Sequence, residues 1–186
     1  MRPINWLRFT WDLEARPSPA PRKLPEHYEI TAVGPEDLKE LRRVITTSFT
    51  LDPDWNPAMQ EVMKTIEASL ERAAERADTV YLALRHGVRI IGTTVVSLDP
   101  AAENHLSPGP CVLMEYRNRG FGTDLLVSAL RVLRETGLPH ACAVAKKNSP
   151  VTKFLYRKFN GTAVPHEAAP ALVPGEQSLP EGCAAR

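Results

Sequence analysis

The stretch Val112-Leu113-Met114-Glu115-Tyr116-Arg117-Asn118-Arg119-Gly120-Phe121-Gly122-Thr123 constrains the fold of this chain more than any other. A short apolar run passes into Arg-x-x-Gly-x-Gly and then into a long amphipathic segment ending at Gly137. Two glycines between a strand and a helix allow a tight turn and let several backbone N–H groups come close to a ligand. The helix adds its unpaired first-turn N–H groups and the positive end of its dipole. Together these make an anion site, most often one for phosphate. A dinucleotide fingerprint would need a third glycine where Leu125 stands, and a P-loop would need Gly-Lys-Ser/Thr, which is absent.

Local charge agrees with an anionic ligand. Between Tyr116 and Lys158 there are nine basic residues against Asp124 and Glu135, giving +7; a total of +1 leaves −6 for the remainder. The near-neutral total argues against nucleic acid or a membrane surface as partner. No stretch is long and apolar enough to span a bilayer, and the N-terminus has no signal-peptide core, so the expected location is the cytoplasm. Cys111, Cys142 and Cys183 show no metal-ligand spacing, and their odd number does not suggest a disulfide framework. No metal site is expected.

Three regions are expected. Residues 1–26 read as an arm followed by a stiff connector: Trp6, Leu7, Phe9, Trp11 and Leu13, then Pro17, Pro19, Pro21 and Pro25. Two tryptophans on an arm call for cover, either from the domain or from a second subunit in a homodimer. Residues 27–165 read as the domain, and 166–186 as a proline- and alanine-rich tail.

Within the domain, Tyr28 to Val33 alternates as a strand. A helix follows Gly34-Pro35, with Leu38, Leu41, Val44, Ile45 and Phe49 on one face. Asn56-Pro57 opens a second helix whose apolar face is Met59, Val62, Met63, Ile66 and Leu70. Thr79 to Leu84 and Val88 to Leu98 form a hairpin turning at His86-Gly87. A loop from Asp99 to Pro110 precedes a short strand, Cys111 to Met114. The glycine loop then leads to a helix from about Phe121 to Thr136, with Gly137 as its left-handed stop. A strand from His140 to Ala145 and a helix opened by Ser149-Pro150 complete the order β-α-α-β-β-β-α-β-α, with a weak strand region at the C-terminus. This is a mixed α/β (α+β) fold with an antiparallel hairpin, not the strict alternation of a doubly wound sheet.

From Tyr28 to Gly161, and most sharply over Val112 to Gly122 and Asn148 to Tyr156, the sequence resembles the GNAT superfamily of acyl-CoA-dependent N-acetyltransferases. The resemblance implies a mixed, mostly antiparallel central sheet flanked by helices. It implies that Arg117, Asn118, Arg119, Gly120, Phe121, Gly122 and Thr123 cradle the pyrophosphate of coenzyme A. Val112, Leu113 and Met114 would pair in β fashion with the pantetheine arm, and Asn148 would hydrogen-bond the same arm. Tyr156 would protonate the departing thiolate; packing beside Phe154 and Phe159 is the alternative for its ring. The cofactor implied is acetyl-CoA. The acceptor is a primary amine of a small molecule or peptide, and the −6 balance outside the cradle suits a cationic one.

The sequence also departs from the family pattern. Ser107-Pro108-Gly109-Pro110-Cys111 carries no carboxylate where many members place a base, and its prolines interrupt sheet pairing. Glu103, His105 and Glu115 are the nearest titratable groups, and none is assigned the role. Met114 replaces the usual proline, and Ala168-Ala169-Pro170 stands where two further strands are usual. The alternative to an enzyme is therefore an acyl-CoA-binding sensor or interaction protein without turnover.

Overall fold

A computed structural model of the chain describes residues 6–15, 21–50, 67, 71 and 77–166. The second expected helix falls almost entirely outside them, as does the C-terminal tail beyond His166. The strands are β1 (Trp6–Asp12), β2 (Tyr28–Val33), β3 (Thr79–His86), β4 (Arg89–Ser97), β5 (Cys111–Val112), β6 (His140–Lys146) and β7 (Thr162–His166). Among the described residues the longer helices are α1 (Leu38–Thr50) and α2 (Phe121–Glu135), and a wide π turn at Val151–Tyr156 and short 3-10 turns complete the helical elements. This is the mixed, mostly antiparallel architecture expected.

The strands form two sheets, β2-β3-β4-β5 and β6-β1-β7, with every pairing antiparallel. β4 is buried from Ile90 to Ser97. Because side chains alternate along a strand, both of its faces must be covered; α1 and α2 both pack on it. Leu41, Val44, Ile45 and Ser48 turn the buried stripe of α1 inward at helical spacing. Gly137, at φ +82°, ends α2 as expected.

Four segments differ from the sequence reading. The N-terminal segment is not a separate arm: Trp6–Asp12 is the middle strand of the second sheet, between β6 and β7. Its alternate residues Leu7, Phe9 and Trp11 point into the core, and Leu13 just beyond the strand is buried too. The domain itself therefore covers these rings, and no second subunit is needed for that. Second, the hairpin turns at Gly87-Val88; Gly87 takes the positive φ of +57°, and the strands run up to it.

Third, the expected loop 99–110 is partly sheet. Ser97 N–H donates to His105 O at 2.9 Å, Ser107 N–H to Val95 O at 3.1 Å, and Val95 N–H to Pro108 O at 3.1 Å. Proline lacks a donor but keeps its carbonyl, so Pro108 still serves the ladder as an acceptor. Fourth, a C-terminal strand exists. β7 lies at the sheet edge, where Pro165 costs no ladder bond on its outer side.

Candidate active site

The two sheets touch at one end and separate at the other. At the closed end His105 N–H donates to Cys142 O at 2.8 Å, and Cys142 N–H donates to His105 Nδ1 at 3.0 Å. Val144 N–H donates to Asn104 Oδ1 at 3.3 Å. Beyond this point β5 and β6 share no ladder. β5 is only two residues long, and the chain turns away through Met114–Tyr116 towards the glycine loop.

The backbone of β5 meets the gap at one residue. Leu113 N–H donates to Ile91 O at 2.9 Å, and Cys111 stands opposite Thr93. By antiparallel alternation the N–H and C=O of Val112 face away from β4. Its carbonyl accepts from Arg117 Nε at 2.9 Å, so the Val112 N–H is the donor β5 presents to the gap. The expected pairing run Val112 to Met114 thus shrinks. Leu113 is buried with its N–H used, and Met114 lies half-exposed in a 3-10 turn.

The glycine loop is shaped by two left-handed residues, Asn118 at φ +62° and Gly120 at φ +87°. The first backbone N–H of the helix with a chain acceptor is that of Asp124, to Gly120 O at 3.1 Å. The preceding N–H groups, including those of Phe121, Gly122 and Thr123, are the open donors of a helix N-terminus. A Cβ on Gly122 would find only Leu155 Cδ2, at 3.8 Å, leaving the backbone open to close approach.

Side chains around the loop do other work. Arg117 Nη2 donates to Ser48 O at 3.1 Å and bolts the end of α1 to the loop. Arg119 Nη2 donates to Glu115 O at 3.0 Å, and its guanidinium lies over Tyr116. The Phe121 ring is core, stacked on Tyr28 at 4.8 Å. These side chains are engaged within the protein, while the backbone N–H groups of the loop stay open.

Tyr156 sits on the gap side of the second sheet. The expected helix there is a π turn held by Ser149: its N–H donates to Lys146 O at 2.9 Å, and its hydroxyl lies 3.0 Å from Thr152 Oγ1. This turn buries Thr152, Leu155 and Tyr156 while Phe154 points to solvent, 75% exposed. The Tyr156 ring meets Phe9 and Trp11 edge-on, at 5.2 and 5.0 Å between centroids. Its hydroxyl reaches Gly109, where any Cβ would collide with it. Burial, and then the nearby Cys111 thiol, raises the Tyr156 pKa above that of an ordinary phenol. The hydroxyl keeps its proton at neutral pH and can serve as a donor. Leu155, the residue before Tyr156, lies beneath Gly122. Asn148 is exposed between β6 and the π turn.

Among the described residues, no carboxylate joins Tyr156. Glu103 is exposed, and Glu115 is exposed with its nearest cation, Arg89 Nη2, at 3.5 Å. His105 is buried, but its Nδ1 accepts the Cys142 N–H, so in the neutral ring the proton is on Nε2. That ring is a donor, not a base. Two features escaped the sequence reading: Gly109, whose missing side chain admits the tyrosine, and Arg22, whose guanidinium lies on the glycine loop. Among the described residues, no three His, Cys, Asp or Glu side chains gather where a metal ion could sit. Nor is any described helix long and apolar enough to cross a membrane.

The fold has counterparts among known proteins. Among solved structures, a GCN5-related N-acetyltransferase from Sphaerobacter thermophilus is 18% identical with a TM-score of 0.61, over 88% of this chain and 50% of its own. A GNAT-family acetyltransferase from Colwellia psychrerythraea is 13% identical with a TM-score of 0.59, over 88% of this chain and 54% of its own. A conserved protein of unknown function from Staphylococcus epidermidis is 16% identical with a TM-score of 0.59, over 88% and 59%. The chain thus spans about half the length of these structures, and they share its fold. No curated protein matches the sequence. The model of the acetyltransferase (GNAT) family matches residues 38–161, from α1 through the glycine loop and the π turn to the start of β7. The chain belongs to the acetyltransferase (GNAT) family.

Proposed function

We propose that this protein moves an acetyl group from acetyl-CoA to a primary amine of a small molecule or peptide by direct transfer. One observation carries the reading: the open N–H groups of the Gly120–Thr123 loop stand over Leu155, the residue before Tyr156, whose buried hydroxyl keeps its proton. Coenzyme A would supply an activated acyl thioester. The backbone N–H groups from Arg119 to Thr123 would hold its pyrophosphate, which suits the open space at Gly122. The pantetheine arm would lie along the β5 edge, with Asn148 in reach from the opposite side. The Val112 N–H would polarise the acyl carbonyl, and Tyr156 would give its proton to the leaving sulfur. Positioning supplies most of the rate gain.

We place the protein in the cytoplasm, which suits the free thiols of Cys111 and Cys142. That no carboxylate among the described residues stands beside Tyr156 supports a second reading, an acyl-CoA sensor that binds without turnover.

Calorimetry with CoA and acetyl-CoA tests the binding half. Both should bind, and Gly122→Trp, which fills the space above Leu155, should abolish binding. No binding by the unaltered chain would end both readings. Thiol release over a panel of amines tests the chemistry. Turnover that falls about 100-fold in Tyr156→Phe is expected of the enzyme; binding without thiol release marks the sensor.

A further inference from the structure

Arg22 belongs to the segment between β1 and β2, yet its side chain lies on the glycine loop. Nε donates to both carboxylate oxygens of Asp124, at 2.8 and 3.0 Å. Nη2 donates to Asp124 Oδ2 at 2.7 Å and to the Arg119 carbonyl at 2.8 Å. A Cβ on Gly120 would stand 2.9 Å from Nη2 and 3.6 Å from Nη1, so the guanidinium occupies the side that the glycine leaves bare. It also lies 5.9 Å from the centre of the Phe121 ring.

The charge balance explains why this matters. Asp124 stands in the first turn of α2, and its side chain is 7% exposed. A buried carboxylate beside open N–H donors would repel an incoming phosphate, and an unpaired one is costly to bury at all. Arg22 cancels that charge with a two-pronged pair, which is the geometry guanidinium suits. Its Nη1 carries two more N–H groups that no described residue accepts, and the side chain is 47% exposed. They stand beside the backbone donors of the loop.

We propose that Arg22 is part of the anion site. It neutralises Asp124, fixes the Arg119 carbonyl and presents Nη1 to the pyrophosphate. The N-terminal segment therefore takes part in the site, although it lies outside residues 38–161 matched by the family. The inference deepens the coenzyme A reading and rests on it for the identity of the ligand.

The test is calorimetric titration of CoA and, separately, inorganic pyrophosphate into three proteins: the unaltered chain, Arg22→Gln and the double variant Arg22→Gln/Asp124→Asn. Arg22→Gln should weaken both ligands about tenfold or more. The double variant, which leaves no carboxylate to repel the anion, should recover part of that loss and stay about threefold or more below the unaltered chain. Affinity within twofold of the unaltered chain in Arg22→Gln, or in the double variant should Arg22→Gln not fold, overturns the inference and leaves the coenzyme A reading standing. Binding of pyrophosphate that depends on Arg22, without binding of CoA, keeps the inference and removes the reading. If the unaltered chain binds neither, both fall.

Discussion

The hydroxyl of Tyr156 rests against the backbone of Gly109, at a place where no other residue could stand without displacing it. This pair joins the second sheet to the segment that feeds β5. Gly109→Ala should therefore cost about 1–3 kcal/mol by overpacking and, under the proposed function, lower turnover by moving Tyr156. Adding Tyr156→Phe removes the colliding oxygen, so most of the stability should return. Chemical denaturation of the two single variants and the double variant gives the coupling directly. Additive losses would mean that the two residues do not meet.

Arg117 is the bolt between α1 and the loop, donating to Val112 O and Ser48 O. Arg117→Ala should destabilise the fold by about 2 kcal/mol, the range for hydrogen bonds from a charged donor. A loss below about 0.5 kcal/mol in urea unfolding, the level of an ordinary surface change, would show that the bolt carries nothing.

Two cysteines should differ in reactivity. The adjacent His105 ring brings the Cys142 thiol down to about 7 against the opposing effect of burial, with Arg8 and Thr10 on its Sγ helping. Burial pushes Cys111 up to about 12. In a Cys183→Ser background, iodoacetamide should label Cys142 with a rate that is half-maximal near pH 7, while Cys111 stays silent there. A midpoint near the ordinary thiol value of about 8.5 would contradict this. Because the folded value lies below the unfolded one, the thiolate's contribution to stability is present above about pH 8.5 and is lost as pH falls through 7. Cys142→Ser should flatten that slope.

Phe9 and Phe154 look alike in sequence and should behave oppositely. Phe9 is fully buried against Trp11 and Tyr156, whereas Phe154 is 75% exposed. Phe9→Ala should cost about 3–5 kcal/mol, and Phe154→Ala should stay within about 0.5 kcal/mol. Thermal or urea unfolding of both variants distinguishes the cases.

The glycine loop was legible because its constraints are local. Gly120 holds a backbone angle that a side chain would strain, and Gly137 ends α2 in the same way. The periodicity of α1 and α2, the alternation of β2 and the apolar runs of β3 and β6 likewise depend only on near neighbours in the chain. The N-terminal strand carried its signal too, in the alternation of Leu7, Phe9, Trp11 and Leu13, but the prolines after it made it read as an arm. A strand's place in a sheet is decided by partners far away in sequence, here Ala141 to Ala145 and Ala163.

The same holds for the site. Sequence by itself determined the family resemblance, the glycine loop and the candidacy of Tyr156, because each lives in a short motif. Only the tertiary structure decided that β5 offers a single backbone donor and that Gly109 receives the tyrosine. It also decided that His105 is held as a donor by Cys142 and that Arg22 lies on the loop. Those relations join residues up to about a hundred positions apart, and a pattern of near neighbours holds no information about which distant groups packing will bring together.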